Sequence, residues 1–328
     1  MRKLETTYLE LKLKNPVIVA SSGLTGSVDK IKGLEAAGAG AVILKSLFEE
    51  QINSEVSHLI NMDPQNLYPE AEDYIWNYTR HHSVEAHLDL LRQAKKEVEI
   101  PVIASINCTS TKEWTGFAKE FEAAGADALE LNIFFVPANR NESSEQTEKL
   151  YTDILRAVKK EVHIPVSVKI GFYFTNLIAL AEKLMANGAG AITMFNRFYE
   201  PDIDIEKLEL TASEIFSTPS DIRRTLRWIG IVSAALPKLE IAASTGIHDG
   251  EALIKQLLAG AQVAQVCSTV YINGSQIIAG MLRELDEFMK KWNFKEISDF
   301  RGRLSYAKIK DPMLYERAQF MRYFSRRE

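Results

Sequence analysis

Four segments of the chain share one pattern, and that pattern limits the fold more than any other feature. They are EAAGAGAVILKS (35–46), EAAGADALELN (122–132), ANGAGAITMFN (186–196) and LAGAQVAQVCS (258–268). Each reads as a helix end at a glycine, Gly38, Gly125, Gly188 or Gly260, followed by a short apolar strand. Glycine suits the position past a helix end because it takes the left-handed conformation at little cost. Seven residues beyond each glycine stand Lys45, Asn132, Phe195 (with Asn196 next) and Cys267 (with Ser268 next).

Four more strand-like runs lie between these units: NPVIVASSG (15–23), IPVIASINC (100–108), IPVSVKIG (164–171) and LEIAASTG (239–246). They are near-continuous in apolar residues, as parallel strands covered on both faces are. Helical patterns alternate with them, for example at 28–38, 84–98, 111–125, 176–188 and 250–260. Eight strands alternating with helices predict an α/β fold, a (β/α)8 TIM barrel. A doubly wound open sheet is the rival, but no GxGxxG stands at a strand–helix turn. With 328 residues, 46% hydrophobic and 25% charged, the chain is expected to form one barrel over residues 1–304. A short C-terminal extension, 305–328, follows.

A barrel places its active site at the C-terminal ends of the strands. Here those ends are Ser21, Ser22 and Gly23; Lys45 and Ser46; Ser105 and Asn107; Asn132; Lys169; Asn196; Thr245 and Gly246; and Cys267 and Ser268. For any single residue, capping a strand and meeting water is the simpler reading. Two lysines and two asparagines at equivalent tips point instead to function, because a buried lysine needs a partner or an anionic ligand. STGI (244–247) and VCSTV (266–270) close strands seven and eight. Loops at that place commonly hold phosphate through backbone N–H groups and a helix N-terminus. A strand-end lysine beside such a cradle is consistent with FMN, whose reduced ring carries negative charge. A phosphosugar enzyme without flavin would show the same cradle.

Taken together, the motifs resemble the dihydroorotate dehydrogenase family, FMN-dependent barrels of pyrimidine biosynthesis, over residues 5 to 304. NPVIVASSG is similar to the family's opening NPxxxASG. VILKS resembles its T-K-S and supplies Lys45; PVSVKIG resembles P-x-x-V-K-L and supplies Lys169 on the flavin side. ITMFNRF carries Asn196. FSTPSDIRRTLRWIGIV (216–232) carries Ser217, with Thr218 in place of glycine. STGI matches T-G-G-I, VCST matches the phosphate-holding I-G-T-A, and SDFRGRL (298–304) resembles the closing segment. The resemblance implies Lys45, Asn132 and Lys169 in catalysis. It implies Ser21, Ser22, Gly23, Lys45, Ser105, Lys169, Asn196, Ser217, Thr245, Gly246, Cys267 and Ser268 in cofactor binding. It further implies oxidation of a CH–CH bond, dihydroorotate to orotate first, and a homodimer.

Two departures stand against that reaction. The family's loop after strand four, N-L-S-C-P-N, supplies a Cys or Ser base; here it reads N-I-F-F-V-P and Phe135 holds the base position. The family's loop after strand two is replaced by the long run 51–82. A related flavoprotein with another substrate, anionic or amide-bearing, and a non-catalytic relative are therefore the alternatives. Cys108, Tyr173 and Tyr199 are candidate replacement bases, although buried packing is the commoner role for each type. Glu130, inside strand four, points either into the barrel or outward. His81, His82 and His87 lack the partners of a known metal site, so a solvated helix entry is expected and no metal. Net charge is −5 with signs mixed, which argues against nucleic acid. The basic tail from Arg317 to Arg327 reads as a solvated helix. No apolar run is long enough to cross a bilayer and no signal peptide opens the chain. Two cysteines, Cys108 and Cys267, make neither a disulfide framework nor an iron–sulfur site, and a reducing cytoplasm is the expected home.

Overall fold

The computed structural model describes residues 3–62, 69–108, 110–197 and 200–316. Eight parallel strands close into a barrel. In chain order they are β1 (Val17–Val19), β2 (Ala41–Ile43), β3 (Val102–Asn107), β4 (Ala128–Asn132), β5 (Val166–Ile170), β6 (Ala191–Met194), β7 (Glu240–Ser244) and β8 (Val263–Val266). Each pairs with its chain neighbours. β2 joins β3, with Val42 beside Val102, and β8 returns to β1, with Gln265 beside Ile18, so the ring has no free edge.

The strand sequences explain why both faces are apolar. Val17 and Val19 pack outward under the helices, while Ile18 between them joins an inner cluster with Ile43, Ile103 and Val263. Several inner positions are alanine, among them Ala41, Ala128, Ala191 and Ala242. Tyr8, Leu9 and Leu13 of an antiparallel hairpin, Thr6–Tyr8 with Leu11–Leu13, pack into this inner cluster. Glu240 pins the turn by accepting from the Leu9 N–H at 2.6 Å.

The outer layer comprises α1 (Val28–Ala36), α2 (Glu49–Met62), α3 (Pro69–Glu97), α4 (Thr111–Ala123), α5 (Ser144–Glu161), α6 (Leu177–Ala186), α7 (Ile222–Ala235) and α8 (Gly250–Ala259). Two more helices, α9 (Ser268–Asn273) and α10 (Ile277–Lys291), follow β8. The repeated glycine turn is one piece of geometry used four times. Gly38, Gly125, Gly188 and Gly260 have φ of +104°, +95°, +96° and +125°. After each, an alanine N–H reaches back five residues: Ala39 to Leu34, Ala126 to Phe121, Ala189 to Leu184 and Ala261 to Gln256, at 3.0–3.1 Å. That back-bond satisfies the last helical carbonyls and aims the chain straight into the next strand.

Three features differ from the sequence reading. The run 51–82 is largely helical where described, because Ile52 and Val56, then Val84, Leu88 and Leu91, recur at helical spacing and are buried. His81 and His82 accordingly lie inside α3 rather than before it. An antiparallel hairpin, Pro201–Asp204 with Glu209–Ala212, projects after β6. Of the C-terminal extension, residues 305–316 lie against α7. The Tyr306 N–H donates to the Gly230 carbonyl at 2.9 Å, and the Tyr315 ring covers Gly230 so closely that a Cβ there would overlap it. The basic tail from Arg317 and the candidate Tyr199 lie outside the described residues.

Candidate functional site

The inward face of the barrel changes character from bottom to top. Above the apolar plug sits Glu130 on β4, fully buried. Its Oε2 accepts from Thr193 Oγ1 at 2.9 Å and from Gln265 Nε2 at 2.7 Å, and Gln265 Nε2 also reaches Thr193 Oγ1 at 3.1 Å. Glu130 therefore points into the barrel. Two residues along the same face of β4 comes Asn132, which is in register with Lys169 on β5; Lys169 is in turn in register with Thr193 on β6. Strand alternation makes these side chains share the inner face. The Lys169 Nζ lies 3.9 Å from Glu130 Oε1, and the lysine is only 8% exposed.

Lys169 looks into a cavity of about 240 Å³ at the C-terminal mouth. Ser21, Asn196, Ser217, Thr245, Gly246, Cys267 and Ser268 also line it, so most of the strand-tip residues singled out from the sequence converge on one space. The rest stand just behind it or at its rim. Asn132 Oδ1 accepts from Asn196 Nδ2 at 2.7 Å, which fixes both amides. Ser105 is joined through Ser46 to Ser21 by hydroxyl contacts of 2.8 and 2.9 Å. Ser22 caps the short helical turn that starts at Gly23. A Cβ on Gly23 would come within 2.9 Å of the Tyr271 hydroxyl, another lining residue. Lys45 differs from Lys169 in burial: it is exposed at its strand tip, with Cδ near Gly26.

One corner of the cavity is built from backbone. Gly246 has φ +78° and lies so close to the start of α7 that a Cβ would stand 2.1 Å from the Ile222 nitrogen. Beside it Thr245 holds φ +79°, an unusual conformation for a side-chain-bearing residue, while its hydroxyl donates to the Phe195 carbonyl at 3.1 Å. Among the described residues, the N–H groups of Gly246, Ile247, Ser268 and Thr269 have no backbone or side-chain acceptor. The Ser217 N–H donates to Ser268 Oγ at 3.0 Å, and Ser217 Oγ meets His248 Nε2 at 3.1 Å. Burial pushes the His248 pKa down, so its ring is neutral near pH 7. An adjoining cavity of about 300 Å³ shares Asn196, Arg197 and Thr245 with the first. Together they reach the size of a small-molecule site.

Several lining residues were given no role by the sequence reading, although most lie within its motifs. Arg197 directly follows Asn196, and its guanidinium donates to the Ile215 carbonyl. Phe216 and Tyr271 stack with ring centroids 5.4 Å apart along one wall. Arg224 lies over the Phe172 ring at 3.8 Å in the adjoining cavity. Adjacency to Asn196 and Ser217 was the only available signal for Arg197 and Phe216.

The candidate replacement bases fare differently. Cys108 is buried in the strand–helix core, and burial pushes its thiol pKa up, so it is a packing residue. Tyr173 is 52% exposed and packs its ring against Phe172 at 4.1 Å. Phe135 is half-buried between the exposed Phe134 and Val136. His87 Nδ1 contacts the Ser83 carbonyl at 3.0 Å, and no group of three or more potential metal ligands occurs among the described residues.

The arrangement can take an anionic head in the N–H corner and a flat polar ring above Lys169 and the paired asparagines. The family described as dihydroorotate dehydrogenase matches residues 3–289. The catalytic subunit of dihydroorotate dehydrogenase B (NAD(+)) from Thermoplasma volcanium is 27% identical over 310 residues, covering 92% of this chain and 98% of that protein. Its counterpart from Methanocaldococcus jannaschii is 28% identical over 305 residues, covering 88% and 94%. With a closed barrel, strand tips converging on one mouth, and a match running nearly end to end, the chain belongs to the dihydroorotate dehydrogenase family.

Proposed function

We propose that the protein is an FMN-dependent oxidoreductase acting on a CH–CH bond of a small anionic or amide-bearing ring, with dihydroorotate the first substrate to test. The observation that carries this reading is Lys169, a nearly buried ammonium at the inner end of a cavity whose outer corner is a cradle of backbone N–H groups. The residues fit the two ends of FMN. Gly246, Cys267 and Ser268 would hold the phosphate mainly through backbone N–H groups, which is why a cysteine is tolerated where relatives of this pattern use glycine. Ser21, Lys169 and Asn196 would line the ring, with Ser22, Gly23 and Ser105 supporting the strand tips and Ser217 and Thr245 closing the phosphate side.

FMN, when bound, supplies the hydride-accepting ring. The chain supplies the rest. Lys169 offers positive charge where reduction places negative charge, in a site already shielded from water. Asn132 and Asn196 hold each other at 2.7 Å and so present fixed amide groups to a substrate. Lys45, exposed at the rim, is placed to meet an anionic substrate as it enters.

A second reading rests on Phe135. Residues 133–138 contain no titratable side chain, and Cys108 is held neutral by burial. Proton removal from carbon therefore has no donor–acceptor pair at the customary place. This favours a related flavoprotein with a different substrate over dihydroorotate itself. A visible spectrum of the purified protein, then anaerobic addition of dihydroorotate and of other cyclic amides, tests both. Flavin absorbance that dihydroorotate bleaches supports the first reading; bleaching only by another compound supports the second. A protein that takes up no flavin on incubation with FMN refutes both and leaves a flavin-free phosphosugar enzyme or a non-catalytic role.

The same proposal takes residues 1–304 as the barrel and 305–328 as an extension, and includes a homodimer in the cytoplasm. No helix among the described residues is long and apolar enough to cross a membrane.

A further inference from the structure

Inside the barrel, one buried carboxylate has a single cation within ion-pair distance among the described residues. Glu130 is fully buried, yet both hydrogen bonds it receives go to Oε2, from Thr193 and Gln265. Its Oε1 is also buried, and no hydrogen bond satisfies it; the Lys169 Nζ at 3.9 Å is its ion-pair partner. A buried carboxylate oxygen without a hydrogen bond is costly unless a charge compensates it. From the other side, Lys169 has Glu130 as its ion-pair partner, and its Nζ makes no hydrogen bond among the described residues. Lys169 and Gln265 both line the cavity.

From this geometry we infer that Glu130 is a positioning residue for Lys169. Thr193 and Gln265 clamp Oε2, which fixes the carboxylate plane and turns Oε1 toward the ammonium. The ion pair is loose enough to leave the ammonium's hydrogen-bonding capacity to a ligand. It is close enough to hold the ammonium under the cavity floor and to offset much of its charge. The positioning itself is a property of the protein alone. Its consequence, that Glu130 restrains the pull of Lys169 on electrons in the ring above, rests on the FMN reading.

The test separates the two. Lys169 in flavin-free protein is labelled at fixed pH with an amine-reactive reagent, and its modification rate is read by mass spectrometry against surface lysines as internal standards. Glu130→Gln keeps the shape and removes the charge, and it is expected to raise the Lys169 rate at least threefold with the surface lysines unchanged. Thr193→Val, which only frees Oε2 from one donor, guards against a folding failure and is expected to shift the rate in the same direction. Unchanged Lys169 labelling in both variants overturns the assignment. Addition of FMN tests the other reading: protection of Lys169 in the unsubstituted protein is expected if the ring sits above it. With FMN bound, Glu130→Gln is expected to tighten the flavin–sulfite adduct about tenfold. An unchanged adduct alongside altered labelling overturns the redox consequence while leaving the positioning intact.

Discussion

The backbone corner of the cavity gives the sharpest structural prediction. In Gly246→Ala, the new methyl meets the Ile222 nitrogen at 2.1 Å and the Asp221 carbonyl carbon at 2.7 Å. Both are backbone atoms at the start of α7, so no side chain can rotate away. The residue must also hold φ +78°, which costs a side-chain-bearing residue about 1–2 kcal/mol. Forcing backbone apart in a packed region adds about 1–3 kcal/mol. The sum, roughly 2–5 kcal/mol, predicts a fall in melting temperature of roughly 3–7 °C for a domain of this size. Displacing the loop also misplaces N–H groups that would meet a phosphate, and a lost hydrogen bond to a charged group is worth about 1.5–3 kcal/mol. FMN should then bind roughly 10- to 100-fold more weakly. Gly125→Ala is the control. It shares a positive φ, +95°, but a Cβ there meets nothing within 4 Å. It should lose about 1–2 kcal/mol of stability and bind FMN as before. Calorimetric melting and flavin-fluorescence titration measure both quantities. If Gly246→Ala melts and binds like Gly125→Ala, the close approach of β7 to α7 is not what shapes the corner.

Other outcomes follow from single groups. Lys169→Met should keep bound FMN but lower kcat by roughly 10²- to 10³-fold, the usual cost of removing one charge-stabilising group, as stopped-flow flavin reduction would show. Phe135→Cys restores a proton acceptor to the β4 loop and should speed reduction by dihydroorotate at least about tenfold; no change would mean that dihydroorotate is not the substrate. Burial raises the thiol pKa of both cysteines, so iodoacetamide should label both slowly at pH 8. Saturating FMN should slow Cys267, which lines the cavity, and leave Cys108 unaffected. His87 and His248 both have pKa values pushed below 6.5, chiefly by burial. A depressed histidine favours the folded state in its neutral form. That contribution is whole above pH 6.5 and is lost as the pH falls through the depressed values. Urea titrations between pH 8 and 5 should show stability falling with pH over that window, with a shallower slope in His248→Asn.

The fold was legible because its punctuation is local. A glycine that ends a helix and a back-bonded alanine after it need no knowledge of the rest of the chain, and four copies at matching places give the barrel's half-period outright. The same logic explains what was missed. α2 and the first half of α3 were not read as helices, because residues 51–82 mix polar and apolar residues densely; only the end of α3, from residue 84, was. The helical spacing of α2 shows only once Ile52 and Val56 are known to be buried. The hairpin at 201–212 leaves Ile203, Leu208 and Leu210 exposed, so no period of burial marks it.

At the site, half of the strand tips were legible for the same reason, position seven after a glycine being a geometric address, and the others, Lys169 among them, as the ends of apolar runs. What that address does not reveal is depth. Lys45 and Lys169 look equivalent in the sequence, each ending an apolar strand. Yet the chain breaks between β2 and the short strand Leu47–Phe48, which leaves Lys45 exposed, whereas β5 runs unbroken through Lys169 and keeps it inside. One lysine can therefore meet a ligand as it arrives, and only the other can hold charge under it. The difference is set by Glu130, two strands' worth of register and a bulk of small inner residues, none of which is adjacent to Lys169 in sequence. Function at this mouth depends on which polar groups the barrel buries together, and burial is decided by closure of the ring rather than by any one of its eight segments.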